Sequence, residues 1–172
     1  GITSHYFGAS DTTSEAYNLG SLAVNNIFAN YGLASFFFSL AIPFIAKGIG
    51  LKISYALYLL IGGLSLISFY FMRDPDFLWV QAIGIGVVWA AVLILPYSIL
   101  ADALPAGKMG TYMGIFNFFI VIPQIVVGTV MGPIVKNFLG NEAILALVVG
   151  GAVMMVGALL LIFVPYKKAT IH

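Results

Sequence analysis

Cysteine is absent from the 172 residues, which excludes a disulfide scaffold and any thiolate-held metal. Histidine occurs only at His5 and His172, each alone near a chain end, so neither has the companions that catalysis or metal binding requires. Charge is the scarcest property. Seven Lys and Arg with six Asp and Glu make up 8% of the chain. Soluble domains carry roughly 25%. So few charged side chains do not build a water-facing surface, and lipid must cover most of the exterior. A net charge of +1 offers no field for nucleic acid. No cleavable signal peptide is visible, and the first residue is Gly. Residues 1–20 read as a polar loop, and the expectation is a chain that begins mid-protein.

Apolar residues are what the chain has in excess, at 62%. About 20 consecutive apolar residues in a helix cross the hydrocarbon of a bilayer. Five runs qualify, at about 20–46, 53–72, 78–101, 111–137 and 142–165. Each far exceeds the ~10 residues of a barrel strand, and a helix satisfies its own backbone inside lipid. The expected fold class is an all-α polytopic membrane helix bundle, five full spans plus the end of a sixth lying before Ile2. Six spans is the size of one half of many transporters built by duplication.

Alternating spans place the 47–52 and 101–110 loops and the tail 166–172 on one face. That face carries Lys47, Lys52, Lys108, Lys167 and Lys168, and the other only Arg73 and Lys136. The positive-inside rule makes the first face cytoplasmic, as expected of a multi-pass protein of the cell membrane.

No Asp, Glu, Lys, Arg or His lies deep in any span. Intramembrane charges mark ion and proton pathways, so a residue coupling transport to a cation is expected outside this segment. Ser and Thr occur at depth with no base beside them, so an enzyme is not expected. No cofactor or metal is implied. The spans carry neutral polarity instead: Asn25, Asn26 and Asn30 in the first, Trp89 mid-way along the third with Tyr97 beyond it, and Asn117 and Gln124 in the fourth. Seven residues separate Asn117 from Gln124, so the two differ by only about 20° around a helix. Asn26 and Asn30, four apart, nearly align as well. Unpartnered amides facing lipid are costly, so these faces are expected to turn inward. Amides beside an aromatic ring suit a hydroxylated neutral solute such as a sugar and suit an ion poorly. The candidate substrate-binding residues are Trp89, Asn117, Gln124, Asn30, Asn26 and Tyr97. The competing reading spends the same amides on helix-to-helix hydrogen bonds, as a membrane scaffold or assembly subunit would.

Pro43, Pro96 and Pro123 each interrupt a helical ladder and free a carbonyl. Pro96 and Pro123 flank the 101–110 turn and are candidate bending points. Two GxxxG pairs occur, Gly110/Gly114 and Gly128/Gly132, the number that 19 glycines produce by chance. Gly62–Gly63, Gly84 with Gly86, and Gly150–Gly151 remain candidates for close helix packing.

The stretch PYSILADALPAGKMGTYMGIFNFFIVIPQ at 96–124 resembles helices ten and eleven of the sucrose/maltose-transporter branch of the major facilitator superfamily. HYFG at 5–8, PFIAKGIGLK at 43–52 and GIGVVWA at 84–90 resemble the same branch. The resemblance implies the C-terminal half of a sugar:cation symporter that works by alternating access. Its partners would be a sugar, a coupling proton or sodium ion, the lipid bilayer and an N-terminal half of the same protein. By position, Trp89 would be the tenth-helix aromatic that contacts sugar, and Asn117 and Gln124 the polar face of helix eleven. The 47–52 turn resembles the basic cytoplasmic loop motif of the superfamily, with its usual acid and first Arg missing. Asp102 and Lys108, with Pro123 as a bending point, are the candidate gating residues at the next loop.

Overall fold

The computed structural model describes residues 2–9, 11–104, 106–140 and 142–165; the tail lysines Lys167 and Lys168 lie outside the described residues. Those residues form no strand. The helices are α1 (Ile2–Phe7), α2 (Glu15–Ile49), α3 (Leu51–Phe71), α4 (Leu78–Ala103), α5 (Met109–Asn137) and α6 (Ile144–Phe163), with 3-10 turns at Pro75–Phe77 and Ala106–Lys108. Five helices, α2 to α6, are long and apolar enough to cross a membrane. The chain is that of a multi-pass membrane protein.

Local chemistry sets the helix ends. Ser14 caps α2, its hydroxyl accepting from the Tyr17 amide at 3.2 Å, and Glu15 places a negative charge at the positive end of the helix dipole. Asp11 shapes the approach, accepting from the Thr13 hydroxyl at 2.7 Å and the Thr13 amide at 3.3 Å. These bonds hold its carboxyl below the usual carboxylate range. Three expectations are corrected here. The polar 1–20 segment is not all loop, because α1 and the first turn of α2 lie within it. The first span begins at Glu15 rather than near residue 20. The 47–52 loop shrinks to Gly50 alone, at φ 86°, a left-handed backbone that glycine adopts without strain.

Helix α4 contributes to all three core clusters, through Leu78 and Ala82 in one, Val88 in a second and Ala91 in a third. Ile42, Tyr58, Val87, Ala91 and Leu95 join α2, α3 and α4 in one core cluster. Small residues bring backbones together. Gly86 lies against the Tyr31 carbonyl oxygen and the Ala34 methyl group of α2. Gly63 and Gly151 meet so closely that a Cβ on Gly151 would sit 2.5 Å from the Gly63 carbonyl oxygen. By contrast Gly110, Gly114, Gly128 and Gly132 have nothing near them, so the two chance GxxxG pairs carry no packing.

Side chains tie the two ends. At one end Lys52 Nζ donates to the carbonyls of Ile162, at 2.7 Å, and Val164, at 2.6 Å. The end of α6 is thereby capped by a cation from the first turn of α3, where helix carbonyls lack partners. At the other end Tyr6 donates to the Phe69 carbonyl at 2.7 Å, and His5 Nε2 to the Tyr70 carbonyl at 3.3 Å. The short α1 thus caps α3. Burial raises the Tyr6 hydroxyl pKa, and a hydrogen bond from Gln81 partly offsets it.

Helix α5 is the exception. None of its residues is buried, and Phe118, Phe119, Ile125 and Val126 stand exposed on it. It runs continuously through Pro123 and Pro133.

Candidate functional site

Helices α4 and α5 bring together two of the expected polar residues, Tyr97 and Asn117. Tyr97, one residue after Pro96 on α4, donates its hydroxyl to Asn117 Oδ1 on α5 at 2.6 Å. Its ring meets Phe116 edge-on, with centroids 5.3 Å apart. The bond fixes the amide oxygen of Asn117 against α4 and leaves its two N–H donors to another acceptor. Gln124 is exposed two turns further along α5. The sequence reading turns both amides toward a bundle interior. Within this chain they stand on an open face, and Asn117 alone meets another helix.

Trp89 is 48% exposed. It lies near the middle of α4, about 17 Å from its start and about 21 Å from its end at 1.5 Å per residue. Its indole lines a cleft of about 310 Å³ between α4 and α2, with Ser35, Ser39, Tyr31 and Leu93. The Ser39 hydroxyl donates to the Phe36 carbonyl at 2.7 Å, so what it can offer a further partner is an acceptor. A second concavity of about 500 Å³ adjoins the first at Ile94, which lines both. It runs down the same α2–α4 seam to Pro43, Ser98, Lys47 and Asp102. Two open concavities therefore lie along the α2–α4 seam, one at mid-helix Trp89 and one at the lysine-bearing end. Asp102 lines the latter with Lys47, whereas Lys108 is exposed in the Ala106–Lys108 turn. Pro123 is an exposed position inside α5.

Asn26 and Asn30 belong elsewhere. They line a separate hollow of about 210 Å³ with Pro75, Leu78 and Trp79, at the start of α4. The reason is the length of α2. Thirty-five residues extend about 52 Å, well beyond the ~30 Å of hydrocarbon. Not all of α2 lies in hydrocarbon, and Asn26 is level with the first turn of α4, where Leu78 and Trp79 line the same hollow. The structure does not bring these two amides to Trp89.

Two features escape the sequence reading. Lys52 reads from sequence as a loop charge and is instead a helix cap. Trp79, in the first turn of α4, shares a hollow with two amides. Neither contact has a local signal, since the partners lie about 50 to 110 residues away. No group of three or more His, Asp or Glu that could hold a metal occurs among the described residues. Comparison of the chain with family models, curated proteins and solved structures finds no match.

Proposed function

We propose that the chain is the C-terminal half of a major-facilitator-type carrier that moves a sugar, of disaccharide size, across the cell membrane by alternating access. The observation that carries this reading is the pairing of Tyr97 with Asn117, with a half-exposed tryptophan, Trp89, about two turns away on the same helix α4. An indole offers a flat apolar face to a sugar ring. The amide of Asn117, oriented by Tyr97, offers two donors to its hydroxyls, and Gln124 adds both a donor and an acceptor. The two concavities that meet at Ile94, one lined by Trp89, Ser35 and Ser39 and the other by Ser98, Lys47 and Asp102, mark the inward route of the solute in this reading. The lysine-bearing end faces the cytoplasm in this reading, by the positive-inside rule. The open α5 face is what an N-terminal half would cover. The coupling proton or sodium ion is handled there, because no Asp, Glu, Lys, Arg or His lines the Trp89 cleft among the described residues. Pro43, Gly50, Pro96 and Pro123 supply the places where α2, α4 and α5 bend between states.

The test is uptake of labelled disaccharide by the full-length protein carrying Trp89→Ala or Gln124→Ala, scaled to surface expression. One lost hydrogen bond or stacking contact corresponds to about a tenfold loss of uptake. Normal uptake in both variants removes the assignment. The competing scaffold reading draws on the same Tyr97–Asn117 bond, as glue between helices. It gains if both variants lose surface expression and those molecules that reach the surface transport normally.

A further inference from the structure

One more concavity lies at the lysine-bearing end, apart from the two of the α2–α4 seam. It measures about 420 Å³ between α3, α4, α5 and α6, and Tyr55, Pro96, Leu100, Phe116 and Leu161 wall it, with Lys52 at its mouth. Its walls are largely hydrocarbon, and Lys52 is the one charged residue that lines it.

The mouth lies at the membrane boundary, because Lys52 opens α3 and Val164 follows the end of α6. The floor lies deeper. Phe116 is seven residues into α5 and Pro96 seven residues from the end of α4, which is about 10 Å of helix. Water or a sugar in such a hollow has few side-chain polar partners, Lys52 and the Tyr55 hydroxyl, to replace its hydration. A lipid chain needs no such partner and already runs parallel to the helices.

Charge selects the head group. Lys52 uses two of its three N–H groups on the Ile162 and Val164 carbonyls, which fixes the ammonium at the mouth and leaves one donor. Lys47 and Lys108 lie at the same end, against Asp102 as the acid described there. Basic pockets between membrane helices take anionic lipid head groups.

We propose that this groove seats one acyl chain of an anionic phospholipid, with the phosphate against Lys52. The chain fills the gap between Phe116 of α5 and Leu161 of α6 and so holds α5, which buries no residue of its own, against the bundle. The inference does not depend on the sugar reading.

The experiment uses the full-length protein, purified in detergent and stripped of lipid. Binding of phosphatidylglycerol and of phosphatidylcholine with identical acyl chains is measured by native mass spectrometry and by lipid-dependent thermal stabilisation. The wild type is expected to favour phosphatidylglycerol about fivefold, the contribution of one interfacial lysine. Lys52→Gln is expected to abolish that preference. Ala103→Trp, which fills the groove and keeps Lys52, is expected to weaken binding of both lipids. If Lys52→Gln does not fold, the Ala103→Trp arm decides alone. A phosphatidylglycerol preference that persists in Lys52→Gln, or lipid binding unchanged in Ala103→Trp, overturns the proposal. So does the absence of any lipid effect on the wild type, the outcome expected if another part of the polypeptide fills the groove.

Discussion

Tyr97 and Asn117 are joined across α4 and α5 by a 2.6 Å hydrogen bond, and no residue of α5 is buried to support that contact. The bond and the neighbouring Tyr97–Phe116 edge contact are specific side-chain links of α5 to α4. Interhelical hydrogen bonds in membranes contribute about 0.6 kcal/mol on average and up to ~1.7 kcal/mol. A double-mutant cycle with Tyr97→Phe and Asn117→Ala, read by unfolding of the purified full-length protein, is expected to give a coupling energy in that range. Additive effects would show that the pair is not formed in the membrane.

The contact of α3 with α6 makes a second prediction. At Gly151 an added methyl group meets the Gly63 carbonyl oxygen and side chains of α3, all on a backbone that is packed. Gly151→Ala is expected to destabilise by about 1–3 kcal/mol, the usual penalty for overpacking. Gly128→Ala, at a helical glycine with open space around it, is expected to be neutral or to stabilise by up to about 1 kcal/mol. Melting temperatures of the two variants check this, and equal shifts would argue against the close α3–α6 approach.

A third prediction concerns pH at the start of α2. The Asp11 carboxyl is held below its ordinary range chiefly by the Thr13 hydroxyl and amide. A group lowered in the folded state contributes above its unfolded value and loses that contribution as pH falls through the folded one. The capping turn is therefore expected to be intact at neutral pH and to loosen only well into the acid range. Hydrogen exchange at the Thr13 amide, corrected for intrinsic rate, is expected to show this loss of protection. In Asp11→Asn the protection is expected to be independent of pH over the same interval.

The spans were legible because hydrophobic runs of membrane length have few other uses, and each run coincides with one helix of the fold. What the runs do not encode is depth. The first is longer than the bilayer is thick, so the composition around Asn26 and Asn30 reads as intramembrane while the helix places both beside Trp79 at one end. Trp89 was readable, since it sits near the middle of a run and falls mid-helix. The alignment of Asn117 with Gln124 follows from helical period alone, but which neighbour the face meets does not. Its partner Tyr97 is set by how α4 turns over into α5 around the Ala106–Lys108 turn. Lys52 shows the same limit: charge beside a helix start signals a boundary, and only the path of α6 makes it a cap.

Thiol accessibility tests the sugar path most directly, because the segment contains no cysteine to confuse the signal. Trp89→Cys, Gln124→Cys and Phe119→Cys are placed singly in the full-length protein with any other cysteines replaced. Each is exposed in membranes to a small hydrophilic maleimide, with and without disaccharide. Positions 89 and 124 are expected to react and to be protected by the sugar. Position 119, about 140° around α5 from Gln124, is expected to stay unlabelled in lipid. Positions 89 and 124 as inert as position 119, or labelled equally with and without sugar, would contradict a watery sugar path along this face.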